Sequence, residues 1–277
     1  MANDLYPPSR PLSVGETIDL AFRIFRATLL TCLLFAGLAV IASELPNIYN
    51  LASRHPLVSL LEERDPLFWA LDVVGTVLTV VLWSAILLRQ YAVVSGRAAA
   101  GGELASVARR LPAVIALVLL VLLATLGWFI PVELLRGAGP ATVVLAALVL
   151  SIPATYVAIA LSCAGPVLLI TGRGPLASLA HSWRLVSGSF WRLTAIYTVG
   201  LVLLFVLYAL ALVVAMVAAI PLAHGDLAVM TAVTTVIVVI LSALGTPFYT
   251  ALALAVYGDL SVRREGADLA QRIAAAG

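Results

Sequence analysis

Lysine is absent from this chain, and charge of either sign is scarce. The sixteen basic residues are all arginine, and charged residues make up 11% of the 277 positions, against about 25% in soluble domains. Hydrophobic residues make up 63%, and the mean hydropathy is +1.12. The shortage of charge therefore excludes an ordinary soluble domain. We attach no mechanism to the missing lysine.

Cysteine and histidine, the side chains of most metal and redox sites, are also rare. Cys32 and Cys163 both lie inside apolar runs, where we expect small helix contacts and no disulfide or metal pair. His55, His181 and His224 lie outside those runs, so the histidine of an intramembrane serine protease is missing. Zinc-type His-Glu-x-x-His, Walker and dinucleotide motifs are absent too. We predict no catalytic residue, no metal ligand and no cofactor.

The hydrophobic residues are collected into long runs, as is typical of bilayer-spanning helices. The runs predict six spans, at about 27–43, 67–88, 112–135, 141–170, 193–222 and 227–257. The fourth run would measure about 45 Å as a helix, longer than a bilayer core of about 30 Å requires. Pro153 and Pro166 predict a kink in it, and Gly245-Thr246-Pro247 interrupts the sixth.

Three amphipathic segments, at 13–26, 103–111 and 175–192, are too polar to cross a bilayer and suit its headgroup boundary. The first begins with a capping box, Ser13 to Glu16. In the third, helical spacing predicts one apolar stripe, formed by Leu179, Trp183, Val186 and Phe190.

Arginine is distributed unevenly between the two sides that six spans define. The termini and the loops after spans two and four hold thirteen arginines, whereas the other three loops hold Arg54, Arg64 and Arg136. The positive-inside rule predicts that both termini are cytoplasmic. The thirteen are Arg10, Arg23, Arg26, Arg89, Arg97, Arg109, Arg110, Arg173, Arg184, Arg192, Arg263, Arg264 and Arg272.

Two junctions on the arginine-rich side repeat each other. Gly96-Arg97 precedes Leu-Ala-Ser-Val-Ala at 104–108, and Gly172-Arg173 precedes Leu-Ala-Ser-Leu-Ala at 176–180. We predict an all-α integral membrane protein whose six transmembrane helices form three units, each an interfacial amphipathic helix plus a transmembrane hairpin. The units are 11–97, 103–173 and 175–263, and 264–277 form a cytoplasmic tail. Chance similarity among alanine- and leucine-rich segments is the alternative. After the sixth span we expect the chain to close with a charged tail that begins at Asp259.

The interfacial segments predict a surface for anionic lipid headgroups, because arginine supplies the counter-charge and tryptophan suits the boundary. The candidates are Arg23, Arg26, Arg109, Arg110, Trp183, Arg184, Trp191 and Arg192. We expect membrane lipids and other membrane proteins as partners, and no nucleic acid.

A second set of residues would suit a transport path. Asp72 is the one charged residue inside a predicted span, apart from Glu133 at the outer end of the third, and such groups are often functional; a structural role near the boundary is the alternative. Prolines that break spans can mark a substrate site, or they can simply kink helices that are too long. The transport candidates are Asp72, Pro153, Pro166, Pro247 and Tyr249.

Three patches resemble a family of bacterial multi-pass proteins described as the glycerophosphoryl diester phosphodiesterase membrane domain. They are Arg10 to Arg26, the helix with Ser182-Trp183-Arg184, and the segment from Asp259 to Leu269. The resemblance implies an integral domain of a bacterial inner membrane. It implies no catalytic residue, because no segment here could form the phosphodiesterase barrel of about 250 residues. We expect a non-catalytic scaffold or partner protein in an envelope or lipid-related process; the alternative is a small-solute or lipid transporter that uses the kinked fourth and sixth spans.

Overall fold

A computed structural model describes residues 5–52, 65–96, 102–223 and 227–266. Within these ranges every regular element is a helix, and six segments are long and apolar enough to cross a membrane. The expected all-α, multi-pass architecture is confirmed. The predicted features at Arg54, His55, Arg64, Arg97, His224 and Arg272 lie outside the described residues.

Twelve α-helices occur in the described ranges, with short 3₁₀ turns at Gly127–Phe129 and Arg136–Ala138. They are α1 (Val14–Ser43), α2 (Leu45–Ala52), α3 (Pro66–Val94), α4 (Glu103–Arg109), α5 (Leu111–Leu126), α6 (Ile130–Leu134), α7 (Pro140–Ala160), α8 (Ala164–Thr171), α9 (Pro175–Val186), α10 (Phe190–Ala223), α11 (Leu227–Ser242) and α12 (Gly245–Glu265). The candidate spans are Val14–Ser43, Pro66–Val94, Leu111–Leu134, Pro140–Thr171, Phe190–Pro221 and Val239–Glu265.

Helix α1 begins at the predicted capping box. The Ser13 hydroxyl accepts from the Glu16 N–H at 3.3 Å, and the Glu16 carboxylate accepts from the Ser13 N–H at 2.7 Å. The first interfacial segment and the first span are one continuous helix of 30 residues, because neither glycine nor proline interrupts the chain where the segment meets the span.

Prolines interrupt the fourth and sixth spans in the same way. Helix α7 ends at Ala160 and α8 begins at Ala164, with Pro166 as the third residue of α8. Helix α11 ends at Ser242 and α12 begins at Gly245, with Pro247 as the third residue of α12. Each proline lacks an N–H and its ring would clash with the carbonyl four residues earlier, which favours a kink or a break of the helix at that point. Pro153, by contrast, lies inside α7.

Helix α9 differs from the predicted amphipathic segment. It ends at Val186, Gly188 adopts a positive φ of 79°, and Phe190 begins the next helix, so the expected stripe is interrupted. Ser182 is fully buried while Trp183 is 43% exposed. Three polar residues of α9, Ser178, His181 and Ser182, therefore face the rest of the protein.

Helix α12 lies at the centre of the largest buried core. Its residues from Thr250 to Val262 are all buried, among side chains of α1, α8, α9 and α10 and the segment before α1. This corrects the expectation of a charged tail from Asp259: the helix continues to Glu265, and residues 267–277 of the predicted tail lie outside the described residues.

Large apolar side chains are exposed along the other spans, as expected for surfaces that meet lipid. Leu145 of α7, Leu123 of α5, and Phe205 and Val217 of α10 are all more than half exposed. Spans two, four and six end alike, at Gly96, Gly172 and Gly266, each with a left-handed φ between 61° and 74°. The common ending agrees with three similar units, and superposition of the units stays a prediction.

Candidate functional site

The best-defined polar cluster surrounds Asp259. Its carboxylate is 1% exposed, accepts from the Leu12 N–H at 2.7 Å, and forms ion pairs with Arg192 at 2.5 Å and Arg263 at 3.1 Å. The Arg192 guanidinium also donates to the Leu12 carbonyl at 2.6 Å and the Thr17 hydroxyl at 3.1 Å. We call these five residues the Asp259 network, and the end of the bundle where they meet the charged end.

The Asp259 network joins three distant parts of the chain. It connects the segment before α1, the first turn of α10 and the last turns of α12. A buried carboxylate is tolerated only when cations and hydrogen-bond donors surround it. These donors all come from the chain itself, so the network holds helices together.

Tyr6 closes the bundle beside this network. Its side chain is 8% exposed, and its ring stands edge-on to Tyr91 with centroids 5.5 Å apart. A Cβ on Gly258 would lie 2.6 Å from the Tyr6 ring, so only glycine allows this approach. Burial raises the pKa of Tyr6 well above its usual value, and the neighbouring Tyr257 adds to the effect. The phenol is therefore neutral at physiological pH.

A second polar cluster surrounds His181 of α9. Its Nε2 donates to the Glu265 carboxylate at 3.1 Å, and its Nδ1 accepts from the guanidinium of Arg173 and, at 3.5 Å, from that of Arg184. Burial lowers the pKa of His181; Glu265 opposes the shift, and the two arginines reinforce it. Neutral His181 thus joins α9 to the end of α12.

Side chains from other helices occupy the two helix breaks. At the break between α7 and α8, the Ser182 hydroxyl donates to the Ala160 carbonyl at 2.8 Å and accepts from the Cys163 N–H at 3.2 Å. At the break between α11 and α12, the Gln90 amide donates to the Pro247 carbonyl at 2.8 Å. In the described ranges, three buried polar atoms at or beside the breaks have no partner: Gln90 Oε1, Ser162 Oγ and Tyr197 Oη.

Most of the residues predicted to meet lipid headgroups are on the surface. Arg23, Arg26, Arg109, Arg110, Trp183, Arg184 and Trp191 are exposed. Arg192 differs from the expectation, because its guanidinium is directed inward to Asp259. Part of the Arg110 side chain already has partners within the protein, because its Nη1 donates to the carbonyls of Leu168 and Leu169 at 3.3 Å each.

Asp72 lies apart from the second helix break, where the transport candidates Pro247 and Tyr249 are found. Pro166 and Pro247 are buried at the two breaks, Pro153 lies within α7, and Tyr249 is 38% exposed. Asp72 is half-buried on α3. It lies eighteen residues before Gln90 on the same helix, or about 27 Å at a rise of 1.5 Å per residue.

An ion pair between Arg89 and Glu103 was not predicted from the sequence. The Arg89 guanidinium contacts both carboxylate oxygens at 3.2 Å, donates to the Thr31 carbonyl at 3.1 Å, and lies 4.7 Å from the Phe35 ring centroid. Burial would raise the pKa of Glu103, but the Arg89 hydrogen bonds outweigh it and the pKa is lowered. The pair joins α1, α3 and α4.

Within the described residues, no group of three or more histidine, cysteine, aspartate or glutamate side chains could hold a metal ion. No family model, curated protein or solved structure matches the chain. The resemblance of residues 10–26, 182–184 and 259–269 to the phosphodiesterase membrane-domain family therefore stays a prediction.

Proposed function

We propose that the chain is a non-catalytic integral membrane scaffold in a lipid-related process of a bacterial envelope. The observation that carries the proposal is that the polar and charged side chains at the charged end bond to the protein itself. Asp259, Arg192 and His181 all bond to other parts of the chain. A catalytic or transport site needs such groups to face a substrate.

The exposed arginines are the second part of the proposal. Helix α1 has 30 residues, about 45 Å, whereas a hydrocarbon core needs about 30 Å. If the core begins at Ser43, its other boundary lies near Arg23 and Arg26. We infer that these exposed guanidinium groups meet anionic headgroups, each contributing on the order of 1 kcal/mol, and that the charged end projects beyond the boundary.

Lipids that co-purify with the protein test this contact. We expect the double variant Arg23→Gln/Arg26→Gln to retain a smaller anionic fraction than the wild type at equal yield. Arg10→Gln is the matched control, because Arg10 is already paired with Glu16. An unchanged anionic fraction in the double variant would contradict the headgroup contact.

We further propose an inner-membrane location with both termini in the cytoplasm, supported by the thirteen-to-three arginine distribution. Single cysteines at positions 60, 100, 138, 180 and 225 test the orientation with a membrane-impermeant thiol reagent. Labelling from outside at 100 or 180 would overturn it.

A transporter is the second candidate, and the unpartnered Gln90 Oε1, Ser162 Oγ and Tyr197 Oη near the breaks favour it. Complementation of a deletion strain separates the two. As a scaffold, the protein should tolerate Asp72→Asn and Tyr197→Phe, which remove a charge and a hydroxyl with no partner in the described chain. A well-expressed variant of either kind that fails to complement would favour transport.

A further inference from the structure

An apolar pocket of about 330 Å³ lies between α3, α5 and α8. The hydroxyl groups in its lining belong to Thr79 and Ser84. The Thr79 hydroxyl donates to the Ala39 carbonyl at 3.2 Å, and the Ser84 hydroxyl donates to the Val80 carbonyl at 2.8 Å. No polar surface therefore faces the pocket. Its contents must be hydrocarbon, because a polar ligand would lose its hydrogen bonds there.

The pocket has the size of a ligand site, since ligand pockets start at about 300 Å³. The Trp83 ring lies against α8 at Gly165, where a Cβ would be in van der Waals contact with it at 3.4 Å, and the indole forms one wall. Val118 of α5 forms part of the wall across from them.

Arg110 lies at one end of this pocket. Its Nη1 donates to the carbonyls of Leu168 and Leu169, both of which line the pocket, and Val114 of the lining follows Arg110 by one helical turn. Gly172, with a φ of 74°, leaves room for the guanidinium, which would approach a Cβ there to 3.0 Å. In the described chain, Nε and Nη2 of Arg110 have no acceptor. The fixed guanidinium thus presents two nitrogens to an anion.

We propose that this pocket binds one anionic diacyl phospholipid of the surrounding bilayer, with an acyl chain between α3, α5 and α8 and the phosphate on Arg110. An apolar slot with an arginine at its end matches a lipid in both parts, since hydrocarbon fills the slot and arginine recognises phosphate. The inference deepens the proposed lipid contact and assigns it one specific site.

Trp83 can report on the site because it lines the pocket. The other four tryptophans, Trp69, Trp128, Trp183 and Trp191, are between 42% and 81% exposed, so phenylalanine can replace them while keeping an aromatic ring at each position. The single-Trp83 protein is reconstituted in phosphatidylcholine that contains increasing fractions of brominated phosphatidylglycerol or brominated phosphatidylcholine, and quenching is measured.

We expect brominated phosphatidylglycerol to reach half-maximal quenching at a fraction about fivefold lower than brominated phosphatidylcholine. The attraction of one arginine to a headgroup of net negative charge is about 1 kcal/mol, whereas choline balances the phosphate charge of phosphatidylcholine. Arg110→Gln should abolish the difference, and Val118→Phe should remove the saturable quenching. The matched controls are Arg10→Gln, at an arginine already paired with Glu16, and Leu119→Phe, whose position is 60% exposed beside the pocket. Both should behave as the parent.

Two results would overturn the site. Equal quenching by both lipids would show no recognition of the anionic headgroup, and quenching that survives Val118→Phe would show that the chain does not enter the pocket. If the single-tryptophan protein does not fold, native mass spectrometry of wild type, Arg110→Gln and Arg10→Gln provides the same comparison, and loss of one retained phosphatidylglycerol only in Arg110→Gln is expected. The general headgroup contact is tested separately, by the lipids that co-purify with the Arg23→Gln/Arg26→Gln variant.

Discussion

Neutralising Asp259 is the sharpest test of what holds the charged end together. Asp259→Asn keeps the side-chain shape but leaves the guanidinium groups of Arg192 and Arg263 without their counter-charge. Removing one partner of a fully buried ion pair costs about 3–5 kcal/mol. Because Arg192 and Arg263 are still 20% and 33% exposed, water can solvate them in part. We therefore expect a loss of about 2–3 kcal/mol in the free energy of unfolding.

The measurement is reversible unfolding in mixed micelles, followed by circular dichroism. Glu16→Gln is the matched control, because it neutralises an ion pair whose side chains are 63% and 41% exposed, and such pairs contribute about 0–1 kcal/mol. The double variant Asp259→Asn/Arg192→Gln should recover part of the loss, with a coupling energy of about 0.5–3 kcal/mol. A loss in Asp259→Asn no larger than that of the control would refute the structural role of the network.

Two further predictions concern α9. Ser182→Ala removes the side chain that bonds Ala160 and Cys163 at the break, and should cost about 1–3 kcal/mol in the same unfolding assay; Ser187→Ala, at an exposed serine, should stay within about 0.5 kcal/mol. Since the folded-state pKa of His181 lies below its usual 6.5, the unfolded chain binds the proton first. Stability should fall as the pH drops through about 6.5 towards that lower value, and His181→Gln should flatten this part of the pH profile.

The sequence predicted the features that neighbouring residues determine. The capping box at Ser13 needs four residues, and the breaks before Pro166 and Pro247 follow from the missing N–H of each proline. The six apolar runs likewise follow from length and composition alone. These features depend on contacts within one or two helical turns, which a single sequence contains.

The polar interior could not be predicted in the same way. Leu12 and Arg192 lie 247 and 67 positions from Asp259 along the chain, and no local pattern relates them. Asp259 resembled the start of a charged tail because arginines follow it. Its position directly after the apolar run at 251–257 was the available signal, since a helix that continues through Gly258 would carry the carboxylate into the core.

The same limit applies to α9, whose amphipathic sequence predicted a position at the boundary between water and lipid. Ser182 and His181 are polar residues on a helix that packs against other helices, and their partners are a helix break and the end of α12. Inside a membrane protein, a polar face turns towards whichever group needs a hydrogen bond. Periodicity identifies such a face, but the neighbour that it meets depends on tertiary packing.

The two helix breaks bear most directly on the choice between scaffold and transporter. A broken helix serves a transporter when its free backbone groups turn to the substrate. Here Ser182 bonds the free carbonyl and N–H at the first break, and Gln90 bonds a carbonyl at the second. The chain thus occupies positions that a substrate would need. Beyond each break, α8 and α12 contribute residues to the buried core. The prolines therefore mark the points at which long apolar helices change direction, and this allows the helices to pack together at the charged end.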